Sequence, residues 1–475
     1  MCLDYDSLRF LEMSIFKWSG YLTFDDFFMN KLTLTLLNTL KPIFELYGNI
    51  ELIIAYSGGL DSQVLLHALS QLKQSELISN KITVCHVNHG LSENAKNWQE
   101  FAKIECDKLS VDLVIKCVNV QAKVQQSLEA LARNARYYAL KTLRDNKSIV
   151  LTGHHSDDQS ETFLLALKRG AGLKGLSAMS GKTKLGQHLL VRPLLSVSRQ
   201  EIENYAKIHE LSWVDDESNL DTCFDRNFIR LQIMPLLRER WPSINNTINR
   251  SASHCLGGQE LLDELAKEDL TSCKASGKSL YTQALKALSS ARFNNVIRFF
   301  LAQQDYLMPS TEQLKQVRQQ LQASEDKTPQ IKVGQCVFRR YKEQLFITPD
   351  YKDISDWQSQ VNLSEGNSVV YLPDNLGKLT FTNQLAQEHV QPLICLPKLG
   401  QKVSVRFSHN NPNCLPDFRQ HSRSLKKVLQ ELNIEPWQRK RIAFLYYDNE
   451  LVAALGHFIC KPFMVNNTEL GWYIR

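Results

Sequence analysis

The 475-residue sequence lacks the features that define several common protein classes. Its 11 cysteines are an odd number and no two are spaced Cys-x-x-Cys, which argues against a disulfide framework, a zinc ribbon and a thioredoxin-type redox pair. No stretch approaches the roughly 20 apolar residues needed to cross a bilayer, and Met1–Gly20 lacks the sustained apolar core of an export signal. We therefore expect a cytoplasmic protein without membrane segments.

Composition and charge narrow the class further. The hydrophobic share of 43% and the charged share of 22% are those of an ordinary globular protein, which excludes disordered and collagen-like chains. The chain has 56 Lys and Arg against 50 Asp and Glu, and this net charge of +6 suits a polyanionic partner without requiring one. At roughly 100–200 residues per domain, the length predicts two to four domains.

The hydrophobic pattern predicts three structural parts. From Glu51 onward, short apolar runs alternate with segments of helical spacing, which predicts βαβ units and an α/β, Rossmann-like parallel sheet. The alternation stops near Leu237, where a segment of helical pattern begins and is followed by a mixed α+β region. The predicted division is an N-terminal extension at 1–28, a catalytic domain at 29–238, a helical domain at 244–325 and an α+β domain at 333–475.

A loop rich in glycine and serine follows the first predicted strand. Glycines let a backbone approach a ligand closely, and the N-terminus of the following helix offers unpaired N–H groups to an anion. A carboxylate at this point can hold Mg²⁺ against phosphates. A simple Gly-Gly turn with an N-capping side chain is the alternative interpretation. The predicted phosphate-binding residues are Ser57, Gly58, Gly59, Leu60, Asp61 and Ser62.

A second polar segment follows the fourth predicted strand. Asp158 and Glu161 are three residues apart, so both carboxylates lie on one face of the start of a helix, and His154 lies in the loop before them. Stabilisation of the helix N-terminus by acidic residues is the alternative. Because ligands of parallel sheets bind beyond the carboxyl ends of the strands, we expect this segment and the glycine-rich loop to share one site for ATP and a metal.

These segments resemble one family. The glycine-rich loop is similar to the pyrophosphate-binding loop of PP-loop ATP pyrophosphatases, which cleave ATP to AMP and pyrophosphate. Several further motifs resemble the tRNA(Ile)-lysidine synthase branch of that superfamily. They are His86–Leu91, Ser127–Tyr138, Gly153–Thr162, Leu167–Leu176, Trp213–Asn219, Asp225–Arg230, Arg423–Leu432 and Pro436–Arg439.

The resemblance implies a reaction in two steps. ATP adenylates the C2 oxygen of the wobble cytidine in a tRNA(Ile) with a CAU anticodon, and free L-lysine then displaces AMP to give lysidine, which changes codon recognition from AUG to AUA. Free lysine is mostly protonated at pH 7, because its pKa is about 10.4, so a carboxylate is needed to bind the ammonium group and accept its proton. The spacing leaves open how metal, lysine and proton-acceptor roles divide among Asp61, Asp158 and Glu161.

The resemblance also assigns expected site residues. The expected catalytic residues are Asp61, His154, Asp158, Glu161 and Arg226, with Mg²⁺ held by Asp61 and Asp158. Arg133 is expected to contact ATP. The expected tRNA-binding residues are Arg230, Arg423, Lys426, Lys427 and Arg439, although the terminal basic residues also fit an ordinary solvated surface.

Other functions remain open at this point. A PP-loop tRNA thiolation enzyme would need a persulfide-carrying cysteine or a cluster-binding cysteine set, and the sequence has no Cys-x-x-Cys pair. An amidating synthetase of the GMP or NAD type fits the quoted motifs less well. A non-catalytic tRNA-binding protein would not require the acidic residues of the two predicted site segments. The assembly is left open, with a homodimer as one expectation.

Overall fold

The computed structural model describes residues 30–90, 92, 94–119, 128–275, 277, 279–322, 330–362, 367–382, 393–465 and 471–474. The predicted N-terminal extension therefore lies outside the described residues. The chain forms two compact units, Met1–Leu262 and Asp263–Arg475. Among the described helices, none combines the length and the apolar character needed to span a bilayer.

The first unit alternates strands and helices, as the sequence predicts. Its strands are β1 (Leu52–Tyr56), β2 (Ile82–Asn88), β3 (Asp112–Cys117), β4 (Ile149–Leu151), β5 (Lys182–Leu185) and β6 (His188–Val191). Its helices are α1 (Lys31–Tyr47), α2 (Leu60–Gln74), α3 (Ala95–Leu109), α4 (Leu128–Lys141), α5 (Ser156–Lys168), α6 (Leu173–Leu176), α7 (Arg199–Ile208), α8 (Asp225–Phe228) and α9 (Met234–Arg240), with a π-helical segment, Ile229–Ile233, between the last two.

The six strands form one sheet in the order β3-β2-β1-β4-β6-β5. All neighbours are parallel except β5 and β6, which pair antiparallel at one edge. Leu52 and Ile54 of β1 lie in a core with α1, α2 and α7, whereas Ile53 lies in a second core with α4. Because side chains alternate across a strand, both faces of the sheet are buried, as is typical of parallel sheets. The predicted Rossmann-like class is confirmed.

The order of the strands brings the two predicted site segments together. Strand β1 pairs with β4 in parallel, with Leu52 opposite Ile149 and Ile54 opposite Leu151. The loop after β1 and the loop after β4 therefore leave the sheet at the same edge, side by side. This position is where parallel α/β sheets bind their ligands.

The second unit combines helices with small antiparallel sheets. A long helix, α10 (Ile244–Cys273), contains the boundary between the units. The following helices are α11 (Thr282–Ala287), α12 (Ser290–Ala302), α13 (Thr311–Leu321), α14 (Leu425–Glu431) and α15 (Pro436–Arg439). The strands are β7 (Ser279–Tyr281), β8 (Gln330–Val333), β9 (Cys336–Tyr341), β10 (Gln344–Pro349), β11 (Gln358–Gln360), β12 (Asn367–Tyr371), β13 (Lys378–Thr382), β14 (Leu393–Cys395), β15 (Val403–Arg406), β16 (Asn413–Cys414), β17 (Arg423–Ser424), β18 (Phe444–Tyr447), β19 (Glu450–Ala454), β20 (Phe458–Ile459), β21 (Met464–Val465) and β22 (Gly471–Ile474).

One hydrophobic core extends across the predicted boundary between the helical and mixed regions. Phe293 and Phe300 of α12 pack in the same core as Phe338 of β9 and Leu345 of β10. These strands belong to a sheet of order β7-β10-β9-β8, whose first strand precedes α11. The described residues on the two sides of 325–333 are thus held together by shared apolar burial. The predicted domain limits themselves stay a prediction.

Candidate active site at the carboxyl edge of the parallel sheet

The glycine-rich loop joins the end of β1 to the start of α2. Gly58 has a φ of +86°, and a Cβ atom there would lie 2.7 Å from Cγ2 of Val214. Both observations require glycine, since other residues rarely adopt this conformation and the space is already filled. The Ser62 hydroxyl donates to the Gly59 carbonyl (2.9 Å) and lies 3.2 Å from the Ser57 hydroxyl. The loop is therefore fixed in shape at the N-terminus of a 15-residue helix, where an anion is stabilised.

The loops after β1 and β4 are in direct contact. A Cβ atom on Gly153 would lie 2.9 Å from the carbonyl carbon and oxygen of Asp61. Only glycine allows so close an approach of two backbones. The contact confirms that the two predicted segments meet, and it places Asp61 between the glycine-rich loop and the segment that contains His154 and Asp158.

Asp61 lies in the first turn of α2 and is partly buried. Its Oδ1 accepts a hydrogen bond from Nη1 of Arg199 (2.8 Å) and lies 3.7 Å from Nε2 of His155. Among the described residues, none donates a hydrogen bond to its other oxygen, Oδ2. Burial raises the pKa of the Asp61 carboxyl above its ordinary value, although the positive charges of His155 and Arg199 oppose this shift.

Asp158 and Glu161 are held by two arginines from the α8 and π-helical segments. Arg226 donates from Nη2 to Asp158 (2.9 Å) and from Nε to Glu161 (2.8 Å). Arg230 donates to the same two carboxylates, at 3.2 Å to Asp158 and 2.6 Å to Glu161. The side chain of Glu161 is only 3% exposed. These four residues, which we call the ionic cluster, pair two buried negative charges with two positive ones.

The acidity of Asp158 reflects this pairing. Burial acts to raise the pKa of the Asp158 carboxyl, but the charges of His155 and Arg226 outweigh it, and the pKa lies below its ordinary value. The backbone N–H of His155 also donates to Oδ2 of Asp158 (3.1 Å). Asp158 is thus ionised at neutral pH and has a strong preference for cationic partners.

His154 is uncharged at neutral pH. Its Nδ1 lies 2.8 Å from the hydroxyl of Thr152. Burial lowers the pKa of His154 to about 3, and the charges of Arg192 and Arg226 add to this effect against that of Asp158. A neutral imidazole can donate or accept a hydrogen bond beside the carboxylates, but it contributes no positive charge to a phosphate.

Comparison with known proteins decides the family. Residues 31–237 match a model of the PP-loop domain, 280–346 the TilS substrate binding domain and 403–475 the TilS substrate C-terminal domain. A tRNA(Ile)-lysidine synthase of Serratia proteamaculans is 42% identical over 434 residues, which cover 91% of this chain and 96% of that protein. The chain belongs to the tRNA(Ile)-lysidine synthase family.

Other similar proteins include a further member of this family and a solved structure. The tRNA(Ile)-lysidine synthase of Edwardsiella ictaluri is 41% identical over 417 residues, or 88% of this chain and 92% of that protein. The U34-tRNA thiolase of Methanococcus maripaludis superposes with a TM-score of 0.41 and 18% identity over 48% of this chain and 78% of that chain. A likeness at that level carries no argument about activity.

Two residues at the site of this lysidine synthase family member were missed by the sequence reasoning. His155 is 3% exposed and its Nε2 lies 3.4 Å from Oδ2 of Asp158 as well as near Asp61. Its Nδ1 accepts a hydrogen bond from the backbone of Asp157 (3.3 Å), so this imidazole caps α5. Arg199, which pairs with Asp61, is the first residue of α7 and directly follows the N-cap Ser198; the capping box of Ser198 and Glu201 indicates a helix start and gives no sign of a site residue. The available signal for His155 was its position two residues before the pair Asp157 and Asp158, at the start of a predicted helix.

The other predicted nucleotide and tRNA residues are distributed more widely. Arg133 lies exposed on α4 with its guanidinium 5.4 Å from the Tyr137 ring centre. Arg230, predicted to bind tRNA, instead belongs to the ionic cluster. Its role as a tRNA ligand stays a prediction.

The predicted tRNA-binding residues of the second unit differ in whether their side chains already have partners within the described residues. Arg423 pairs with Glu431. Arg439 donates to the carbonyl of Ile434 (2.8 Å), whereas Lys426 and Lys427 are exposed on α14. Of this predicted set, Arg423 is thus the residue whose charge is paired with a carboxylate, while Arg439 and the two lysines make no ion pair with a described residue.

The residues present fit Mg²⁺ in part. The described residues contain no group of three or more His, Cys, Asp and Glu side chains arranged to hold a metal by themselves. Mg²⁺ usually keeps several waters and is bound through one or two carboxylates and the substrate phosphates. Asp61, with Oδ2 free beside the glycine-rich loop, suits that role, whereas both oxygens of Asp158 already accept hydrogen bonds.

Proposed function

We propose that this chain ligates free L-lysine to C2 of the wobble cytidine in a tRNA(Ile) with a CAU anticodon, using ATP. The contact of Gly153 with Asp61 is the observation that carries the proposal, because it joins a phosphate-binding loop to a carboxylate–arginine cluster in one site. The membership of the lysidine synthase family supports the same reaction. We further propose that the enzyme acts in the cytoplasm; the predicted homodimer stays a prediction.

In the first step, the C2 oxygen of the cytidine attacks the α-phosphate of ATP, and pyrophosphate leaves. The glycine-rich loop and the N-terminus of α2 bind the phosphates through N–H groups and the hydroxyls of Ser57 and Ser62. Asp61 would hold Mg²⁺, which makes the phosphorus more electrophilic when bound. Arg226 and Arg230 provide positive charge near the negative charge that develops during the transfer.

In the second step, the ammonium group of lysine first gives one proton to a carboxylate of the site; the resulting ε-amine forms a bond to C2, the bond from C2 to its oxygen breaks, and AMP leaves with that oxygen. We assign binding of the lysine ammonium group to Asp158 and Glu161. Each carboxylate has about four acceptor positions, and each already accepts three hydrogen bonds from the described residues, so about one position remains on each. The low pKa of Asp158 suits it to bind a cation in this step.

The test is incorporation of labelled lysine into unmodified tRNA(Ile) with a CAU anticodon, in the presence of ATP and Mg²⁺. We expect incorporation by the wild type and a loss of at least about 100-fold in Asp61→Asn, because the substitution removes the metal-binding charge. Asp145→Asn is the matched control, since Asp145 is exposed on the same unit and makes no ion pair within the described residues.

Full activity of Asp61→Asn would contradict the role assigned to Asp61 and leave the reaction standing. Two other results would contradict the proposed reaction. AMP release that depends on a sulfur donor, without lysine incorporation, would indicate tRNA thiolation. Binding of tRNA without any AMP release would indicate a non-catalytic tRNA-binding protein.

A further inference from the structure

The second unit contains a cavity of about 230 Å³ lined mainly by cations and aromatic rings. Its walls come from the start of β8, from β9, from the segment that follows β10, and from α15 with the two residues after it. We call it the basic cavity. The residues that matter for its chemistry are Arg339, Tyr351, Lys352, Trp437, Lys440 and Arg441.

Arg339 is the most unusual residue of the basic cavity. It is 8% exposed, its Nε donates to the hydroxyl of Thr348 (2.9 Å), and its guanidinium lies 5.6 Å from the ring centre of Trp437. Within the part of the chain that the structure describes, no carboxylate forms an ion pair with it. Burial of a cation is costly unless a negative partner is present. A bound anion would supply that partner.

The other charged residues that line the basic cavity give it a net positive charge. Lys352 and Lys440 are exposed and make no ion pair with any described residue. Arg441 donates to Asp374 (2.7 Å) and is thereby neutralised. Asp353 is the acidic residue of the lining, and its carboxylate accepts a hydrogen bond from the backbone of Ser355 (3.0 Å). Three unpaired cations therefore face one carboxylate.

The aromatic rings of the cavity are already covered. Trp437 is 9% exposed and packs against Phe346, at 5.1 Å between ring centres, as well as under Arg339. The ring of Tyr351 is covered by the guanidinium of Arg441 at 4.2 Å. Trp437 is thus buried, and one face of Tyr351 is already occupied, which leaves little room for a nucleobase to stack between the two rings. The cavity is therefore suited to an anionic group without an attached base inside it.

We propose that the basic cavity binds a backbone phosphate of the tRNA substrate, with Arg339 at its base and Lys352 and Lys440 at its mouth. The guanidinium of Arg339 has the planar donor geometry that matches phosphate oxygens, and the lysines add point charges. The volume equals about seven or eight water molecules at roughly 30 Å³ each, which accommodates a phosphodiester and ordered water. The assignment of tRNA as the ligand rests on the proposed function.

Salt-dependent tRNA binding tests this proposal. The logarithm of the binding constant falls with the logarithm of salt concentration by about 0.7–0.9 for each phosphate that is neutralised. We expect Lys440→Gln to reduce the slope by about one such contact and to raise the Kd about five- to tenfold near 0.1 M salt. Lys352→Gln is the second variant. Both side chains are exposed, so neither change removes buried packing, unlike Arg339→Gln.

Lys402→Gln is the matched control. Lys402 is an exposed lysine of the same unit outside the basic cavity, and its side chain makes no ion pair with a described residue. We expect its slope and Kd to equal those of the wild type. Ethylation of individual tRNA phosphates then locates the contact, since one position that interferes with wild-type binding should no longer interfere with binding of Lys440→Gln.

Wild-type slopes and Kd values in both Lys440→Gln and Lys352→Gln would overturn the proposal. If the wild type binds inorganic phosphate, both variants lose that binding, and their tRNA affinity is unchanged, then the cavity binds a small anion. That result would also overturn the proposal. These measurements use binding alone. A wild type that binds tRNA through the cavity but never incorporates lysine would refute the proposed function and leave the phosphate site standing.

Discussion

The ionic cluster allows a stability prediction that can be worked out from its geometry. Arg226→Met keeps a long apolar side chain but removes the hydrogen bonds to Asp158 and Glu161. The three side chains are 19%, 10% and 3% exposed, so the two carboxylates would keep their charges in a poorly solvated position. Loss of one partner of a buried ion pair costs about 3–5 kcal/mol.

Arg230 reduces the expected loss to the lower end of that range. It still donates to both carboxylates in the variant, although its own side chain is 37% exposed. We therefore expect Arg226→Met to lower the free energy of unfolding by about 3 kcal/mol. For a unit of this size, that corresponds to a decrease in Tm of about 6–12 °C.

The assay is urea unfolding of Arg226→Met, Glu161→Gln and the double variant across a range of pH. The double variant should be more stable than the sum of the two single losses predicts, because it removes one uncompensated charge together with its partner. The pKa of Asp158 is lowered in the folded state, so its stabilising contribution is present above the ordinary value of 3.8 and is lost as the pH falls through the folded value. The difference between wild type and Arg226→Met should therefore be largest at pH 7 and should narrow below about pH 4.

Two results would refute this reasoning. Strict additivity of the single variants would mean that Arg226 and Glu161 do not interact energetically. A difference from wild type that stays constant between pH 7 and pH 4 and below would mean that packing of the side chain, and not its charge, stabilises the fold.

Two further predictions concern the loops of the site. Gly58→Ala should destabilise the first unit by about 2–4 kcal/mol, because φ is +86° and the added methyl group would overlap Val214. Adding Val214→Ala should relieve the overlap but not the backbone strain. Urea unfolding of the two single variants and the double variant checks this, and equal stability of Gly58→Ala and the wild type would contradict it. The pKa of His154 is lowered to about 3 in the fold, so the wild type should lose up to about 1.4 kcal/mol of stability per pH unit between pH 6.5 and 4, because the unfolded chain takes up the proton first. His154→Gln should show a shallower decrease, and an identical pH dependence would contradict the assignment.

The position of the site could be predicted from the sequence because it depends on the topology of the chain. Apolar runs such as Leu52–Tyr56 and Ile149–Leu151 identify parallel strands, and the polar residues after them must then lie at one edge. The pairing of carboxylates with arginines could not be predicted. It depends on how the segment Asp225–Ile233 returns to α5, and a short helix followed by a π-helical turn gives no distinctive hydrophobic period.

The basic residues of the second unit show a different limit of sequence reasoning. The family resemblance predicts that Arg423, Lys426, Lys427 and Arg439 bind tRNA. The structure engages Arg423 with Glu431 and Arg439 with a backbone carbonyl, partners that charge counting does not reveal. Arg339 lies in strand β9 directly after a run of apolar residues, a sequence context that gives no sign of a binding site. Its unpaired charge becomes visible only when burial and partners are known together.

The antiparallel strand β5 has a consequence for how the enzyme behaves at high concentration. A sheet that ended at β6 would expose a row of backbone N–H and C=O groups to which a strand of another molecule could add. Strand β5 covers that row, and its own sequence places the exposed residues Lys182, Thr183 and Lys184 at the outside. If the β5 strands of two molecules came together, the lysines of one strand would lie close to those of the other and repel them. This edge of the sheet, at the end opposite β3, is thereby protected from the addition of a strand from another molecule.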